Sequence, residues 1–174
     1  MNESLTLPDE LSMITDYARG RKALLEIGVC WGGTAKALRQ VMDPKGTLYL
    51  MDPFVKLPMT WNNQRVYDDE ASAHMTVESV ERGEVVWIKD FSDNAAKDFH
   101  HPLDFLFIDG DHEGEQPIKD YRNYSPHIIQ GGVLIFHDVA VYHPKVRQAF
   151  EEALKSGKWT LVGAAGSVRV LERK

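Results

Sequence analysis

The chain has 174 residues, of which 43% are hydrophobic and 26% charged, and its formal net charge is -6. This size and composition predict one globular domain over residues 1–174, and the acidic balance argues against a nucleic-acid partner, which needs a basic face. The single cysteine excludes an internal disulfide, no apolar run reaches membrane-spanning length, and no signal-peptide pattern opens the chain. We therefore expect a cytoplasmic protein without a membrane partner.

Short β-rich runs alternate with helical stretches along most of the chain. We predict helices over residues 8–19, 34–42, 66–82, 118–129 and 146–155, and an irregular loop over 54–65. We predict strands over residues 23–27, 47–51, 85–88, 104–108, 133–136, 159–162 and 167–171. This order predicts an α/β, Rossmann-like, doubly wound sheet of seven mostly parallel strands that ends in an antiparallel hairpin, with helices on both faces.

A glycine loop connects the first strand to the next helix in the segment 24–34, LLEIGVCWGGT. Position 30 is Cys, so the dinucleotide fingerprint G-x-G-x-x-G is absent, and Thr34 stands where a P-loop places its lysine. Such a loop suits a nucleoside ligand without a phosphate, of which S-adenosylmethionine is the common one. Glu26 leads into the loop, and Gly28 and Gly32 are predicted to let the backbone approach the ligand closely.

Two further positions are candidates for binding the nucleoside. Asp52 ends the second strand, where an acid can accept the ribose hydroxyls, and its alternative role is a turn residue before Pro53. Ser92 follows the third strand, where a polar side chain can bond the adenine amine. The alternative is a helix N-cap at Ser92 or at Asp93.

Polar side chains also follow the fourth and fifth strands. Asp109 and His112 come after the fourth strand, and His137 and Asp138 come after the fifth. Neighbouring parallel strands end at the same edge of a sheet, so these side chains are expected to converge on one cleft. Carboxylates and imidazoles at this density indicate a metal site or an acid/base cluster.

The segments 107–112 (FIDGDH) and 131–138 (GGVLIFHD), with Asp120 on the helix between them, resemble the class I methyltransferase-24 family. The resemblance covers about residues 23–150. That family is similar to metal-dependent O-methyltransferases of the catechol and macrolide-sugar types. The resemblance implies S-adenosylmethionine as cofactor, a metal site of Asp109, His137 and Asp138 with Asp109 also facing the cofactor, and His112 as catalytic base.

The implied reaction is metal-assisted O-methylation of a hydroxyl on a small molecule, such as a sugar or secondary metabolite. The macrolide-sugar enzymes have an acid where this chain has His137, which favours Mn²⁺ or Fe²⁺ over Mg²⁺, or no ion. Three alternatives stay open: a metal-independent methyltransferase with a His112 or His137 base, a nicotinamide oxidoreductase, and a non-catalytic nucleoside-binding partner protein. A lid over the acceptor must come from residues 54–75 or from a second subunit of a homo-oligomer.

Overall fold

The computed structural model describes residues 5–55, 58–61, 64–67, 69–140 and 142–174, and within 58–61 and 64–67 it describes the backbone alone. The strands are β1 (Ala23–Ile27), β2 (Thr47–Met51), β3 (Pro58–Trp61), β4 (Gln64–Tyr67), β5 (Glu84–Ile88), β6 (Leu103–Ile108), β7 (Ile128–Phe136), β8 (Trp159–Ala165) and β9 (Val168–Arg173). The helices are α1 (Pro8–Ala18), α2 (Gly33–Val41), α3 (Glu70–Glu78), α4 (Ser92–Ala95), α5 (Gln116–Tyr124) and α6 (Pro144–Lys155), with a 3₁₀ turn at Ser125–His127.

The main sheet has seven strands in the order β5-β2-β1-β6-β7-β9-β8. The five strands from β5 to β7 are parallel, and β9 is antiparallel to both β7 and β8. The sequence prediction of a doubly wound, mostly parallel sheet that ends in an antiparallel hairpin is confirmed. The strand order reverses between β1 and β6, and ligands of such sheets bind in the crevice at this point.

Apolar layers cover both faces of the sheet. One layer contains residues of α1, α2 and α3, and the other contains residues of α5 and α6. Phe105, Leu106 and Phe107 of β6 are all fully buried, although consecutive residues of a strand point to opposite faces. Central strands covered on both faces have continuous apolar sequences, which explains why β6 was recognisable.

Two predicted helices extend four or more residues beyond the observed helix at an end. The helix predicted from Val66 begins at Glu70, because Asp69 caps it by accepting hydrogen bonds from two backbone amides. Residues 64–67 instead pair antiparallel with 58–61, so the prediction of an irregular loop over 54–65 is wrong at these strands.

The helix predicted over 118–129 ends at Tyr124, and a 3₁₀ turn containing Pro126 leads into β7 at Ile128. Proline supplies no amide hydrogen, so it favours the end of the α-helix here. Within the described part of the chain, no helix combines the length and the apolar character needed to cross a membrane. The extent of the domain, residues 1–174, stays a prediction.

Candidate functional site

The carboxyl ends of four neighbouring parallel strands form the candidate site. Backbone hydrogen bonds continue past the last paired residues: Gly28 N donates to Met51 O, Asp109 N to Ile27 O, and His137 N to Ile108 O. The loops therefore leave β1, β6 and β7 from one level of the sheet. This arrangement brings the predicted site residues of these loops together at one edge.

The two predicted loop glycines are required by contacts within the chain. Gly28 has φ +90°, and a Cβ there would lie 2.1 Å from the carbonyl oxygen of Asp109. Gly32 has φ +78°, and a Cβ there would lie 2.9 Å from Val77 and 3.0 Å from the carbonyl oxygen of Ala73, both on α3. The sequence predicts a close approach of the ligand at these glycines, and in the structure the segment after β6 and helix α3 approach them closely. Their contact with a cofactor stays a prediction.

Asp52 holds the glycine loop against the end of β2. Its Oδ2 accepts hydrogen bonds from Val29 N at 2.8 Å and Cys30 N at 3.1 Å, and its Oδ1 accepts one from Phe54 N at 2.8 Å. The bond to Phe54 is the turn role named as an alternative. A carboxylate has about four acceptor positions, so room remains for a ribose hydroxyl, and that role stays a prediction.

Glu26 is buried beneath the glycine loop, and its Oε2 is a buried oxygen without a hydrogen-bond partner. Burial, with the charges of Asp109 and Asp52, raises the pKa of this carboxyl group well above 4.5. The raised pKa favours the protonated carboxyl group, which can donate as well as accept. An unpaired buried polar atom beside a loop of this kind is a candidate contact for a bound molecule.

Ser92 belongs to a buried polar group after β5. Its hydroxyl donates to Asp120 Oδ1 at 2.6 Å and accepts from Gln116 Nε2 at 2.8 Å. The N-cap of α4 is Phe91, and no side chain caps that helix, so the alternative role of Ser92 as an N-cap is wrong. Contact of Ser92 with adenine stays a prediction.

The acid and imidazole side chains predicted to converge do lie together. Nδ1 of His137 is 3.0 Å from both Asp109 Oδ1 and Asp138 Oδ2, and Nε2 of the same ring is 3.2 Å from Glu10 Oε2. Nε2 of His112 is 3.1 Å from Asp138 Oδ2 and 3.7 Å from Asp109 Oδ1. Glu10 on α1 also belongs to this group, although no sequence pattern indicates it.

The carboxylates and imidazoles of this cluster shift one another's pKa values towards the charged forms. Burial lowers the pKa of His137, but Asp109 and Asp138 outweigh burial and raise it to about 11. Burial raises the pKa of Asp109, but His137 and His112 outweigh it and lower that pKa to about 2. The pKa of His112 is likewise raised, because its interactions with Asp109 and Asp138 outweigh burial. With no ion bound, the positive charge of the His137 imidazolium offsets part of the negative charge of the carboxylates around it.

The geometry around His137 also fits a divalent metal ion. Carboxylate oxygens only accept, so a positive charge, either a proton or a metal ion, must lie between Nδ1 and the two aspartates. Adjacent ligands of an octahedral ion with bonds of about 2.1 Å are separated by about 3.0 Å. The donor atoms of Asp109, His137 and Asp138 all lie within 4.8 Å of one another, and the two distances to Nδ1 are 3.0 Å.

A second three-residue group shares Asp138 with the first. Donor atoms of His112, Asp138 and His143 also lie within 4.8 Å of one another. The rings of His112 and His143 have centroids 4.6 Å apart. His143 therefore lies beside the cleft, at the start of α6.

The sequence of this region identifies the family. Residues 25–139 match the family model described as Methyltransferase domain, a segment that includes the glycine loop and both polar strand ends. The chain belongs to this methyltransferase family. Its sheet order and terminal hairpin agree with that assignment.

Solved methyltransferase structures share the fold across nearly the whole chain. The O-methyltransferase NovP superposes with a TM-score of 0.79 at 18% identity, covering 99% of this methyltransferase and 82% of NovP. An O-methyltransferase from Bacillus cereus in complex with SAH gives a TM-score of 0.71 at 16% identity, covering 99% and 85%. TomG from Streptomyces achromogenes, an O-methyltransferase in complex with SAM, gives 0.70 at 14% identity, covering 99% and 82%.

A curated relative matches a shorter stretch. The uncharacterized protein R132 of Acanthamoeba polyphaga mimivirus is 33% identical over 63 residues, a match that spans 28% of that relative's length.

The predicted lid over residues 54–75 lies partly outside the described residues, which omit 56, 57, 62, 63 and 68.

Proposed function

We propose that the protein is an S-adenosylmethionine-dependent O-methyltransferase that methylates a hydroxyl group of a small molecule, such as a sugar or secondary metabolite. The observation that carries the proposal is the cluster of Asp109, His112, His137 and Asp138 beside the glycine loop. Structures similar in fold include O-methyltransferases in complex with SAH or SAM. The net charge of -6 disfavours a nucleic-acid acceptor.

The cofactor site fits a nucleoside with an amino-acid tail. The loop lacks a phosphate-binding lysine, and Oε2 of Glu26 is buried without a partner beneath it. We assign cofactor contacts to Glu26, Gly28, Gly32, Asp52 and Asp109, with Ser92 towards the adenine. S-adenosylmethionine supplies an electrophilic methyl group on sulfur. The chain's contribution is to hold the acceptor oxygen in line with that methyl group and to exclude water.

A divalent ion would be held by Asp109, His137 and Asp138. An imidazole among the ligands favours Mn²⁺ or Fe²⁺ over Mg²⁺. When bound, such an ion lowers the pKa of an acceptor hydroxyl. The metal-independent alternative also has a specific observation in its favour: the His137 imidazolium, with a pKa of about 11, supplies a positive charge at the same place.

We propose His112 as the group that takes the hydroxyl proton. Its side chain is 31% exposed, whereas that of His137 is 11% exposed and already lies against three carboxylates. The ring of His112 is therefore the more accessible imidazole of this cluster. Burial lowers the pKa of His112, but its interactions with Asp109 and Asp138 outweigh burial and raise it, which strengthens the ring as a proton acceptor.

Binding calorimetry with S-adenosylhomocysteine and with NAD⁺ tests the cofactor. We expect binding of the first and none of the second, and the opposite result would support the oxidoreductase. Methyl transfer from labelled S-adenosylmethionine to a panel of hydroxylated sugars and aromatic compounds, with and without chelator, then tests the reaction. Tight S-adenosylhomocysteine binding without turnover on any acceptor would support the non-catalytic partner protein.

A further inference from the structure

Glu10 is a buried carboxylate of α1 that the proposed reaction does not use. It is 2% exposed, and polar groups from three other parts of the chain contact it. Its Oε1 accepts from Ser167 N at 2.6 Å and from Ser167 Oγ at 2.9 Å. Its Oε2 accepts from Leu7 N at 3.2 Å and lies 3.2 Å from His137 Nε2. Both oxygens of this buried carboxylate therefore have hydrogen-bond partners, as a buried charge requires, because an unpaired buried charge is strongly disfavoured.

The turn between β8 and β9 is shaped around this carboxylate. Gly166 has φ +48°, and a Cβ there would lie 2.3 Å from Glu10 Oε1. Ser167 follows it and connects Glu10 to the cleft, since its hydroxyl also accepts from Asp138 N at 3.3 Å. Glu10 thus contacts one cleft residue directly and a second through Ser167.

The contact with His137 constrains the orientation of the ring. Both oxygens of Glu10 already accept hydrogen bonds from backbone amides, Oε1 from Ser167 N and Oε2 from Leu7 N. A carboxylate only accepts, so Nε2 of His137 must carry the hydrogen. The ring is then held with Nδ1 at 3.0 Å from both Asp109 and Asp138. Carboxylates that accept from the second nitrogen of a histidine fix its orientation in many metal sites.

We propose that Glu10 is a positioning residue of the active site, holding the His137 ring so that Nδ1 faces Asp109 and Asp138. This inference rests on the proposed function only where it concerns ion binding. The orientation of the ring is a property of the chain itself. It can therefore be tested whether or not an ion binds.

The test compares Glu10→Gln with Asp9→Asn, which removes a neighbouring exposed carboxylate from the same helix. In the Gln variant, the oxygen can still accept from Ser167, but the amide nitrogen then faces His137 Nε2 and cannot accept its hydrogen. We expect the side-chain nitrogen and proton NMR resonances of His137 to move in Glu10→Gln and to stay unchanged in Asp9→Asn. We also expect the affinity for Mn²⁺, measured by electron paramagnetic resonance, to fall 10- to 100-fold in Glu10→Gln alone.

A folded Glu10→Gln variant with the His137 resonances and the Mn²⁺ affinity of the wild type would overturn the proposal. If the wild type binds no Mn²⁺, the proposed ion fails and the NMR comparison alone decides the role of Glu10. If Glu10→Gln does not fold, Glu10→Asp replaces it, since the shorter side chain keeps the carboxylate but withdraws it from His137 Nε2. Moved His137 resonances in Glu10→Asp would then support the proposal, and unmoved ones would overturn it.

Discussion

Asp120, the partner of Ser92, should make the stability of the fold depend on pH. It is 1% exposed, its Oδ1 accepts from Ser92 and Gln116, and its Oδ2 is buried without a hydrogen-bond partner. Burial raises its pKa from 3.8 to about 6, even though the two hydrogen bonds oppose the rise. The folded protein therefore retains a proton that the unfolded chain has released. The resulting stabilisation is fully present below pH 3.8 and is lost as pH rises through about 6.

The size of this effect follows from the two pKa values. One pKa unit corresponds to about 1.4 kcal/mol, so the full effect is about 3 kcal/mol. About 2 kcal/mol of it falls between roughly pH 4.5 and 7.5. Asp120→Asn keeps an oxygen to accept from Ser92 and Gln116 but does not titrate.

Urea unfolding of the wild type and of Asp120→Asn, each at about pH 4.5 and about pH 7.5, measures this change in the free energy of unfolding. On going to the higher pH, the wild type should lose about 2 kcal/mol more of its free energy of unfolding than the variant does. Groups that titrate in both proteins cancel in this comparison. Equal changes in the two proteins would refute burial of Asp120 as the source of a pH-dependent stability.

Three further predictions concern the cleft. Asp52→Ala should weaken S-adenosylhomocysteine binding, measured by calorimetry, by about 1.5–3 kcal/mol. It should also lower the melting temperature, because three hydrogen bonds from backbone amides are lost. Unchanged affinity would remove Asp52 from the cofactor site. Chelator should abolish methyl transfer, and Mn²⁺ or Fe²⁺ should restore it at least as well as Mg²⁺, whereas full activity in chelator would favour the metal-independent reaction. His112→Ala should lower kcat about 10²- to 10⁴-fold with cofactor affinity intact, and near-normal turnover would make His137 the next candidate base.

The fold was largely predictable because its central strands are covered on both faces. Such strands have continuous apolar sequences, and helical segments separate them in the chain. The start of β7 was less predictable. Gln130, Gly131 and Gly132 interrupt the apolar run between Ile129 and Val133, so the strand signal is continuous only over residues 133–136. The pairing of 58–61 with 64–67 was missed because no clear alternation of apolar and polar residues distinguishes it from a loop.

The candidate site was predictable only where strand ends define it. Asp109, His137 and Asp138 follow buried strands directly, so the rule that parallel strands end at one edge brings them together. Glu10 contacts His137 across 127 residues of chain, and Ser167 contacts Glu10 across 157 residues, through the packing of α1 and the β8–β9 turn on the sheet. In the sequence, Glu10 is indistinguishable from an ordinary acid in the first turn of a helix. Contacts of this kind depend on tertiary structure and leave no local pattern.

The position of β9 between β7 and β8 has a consequence for the order of folding. β8 precedes β9 in the chain, yet it joins the sheet only through β9. As the chain emerges from a ribosome, β7 therefore keeps an unpaired apolar edge until residues 168–173 are available, and exposed edges of this kind promote aggregation. Ser167 emerges immediately before them, so the bonds to Glu10 form in the same late step. A chain cut after residue 166 would lose both the strand that attaches β8 and the last polar partner of the cleft.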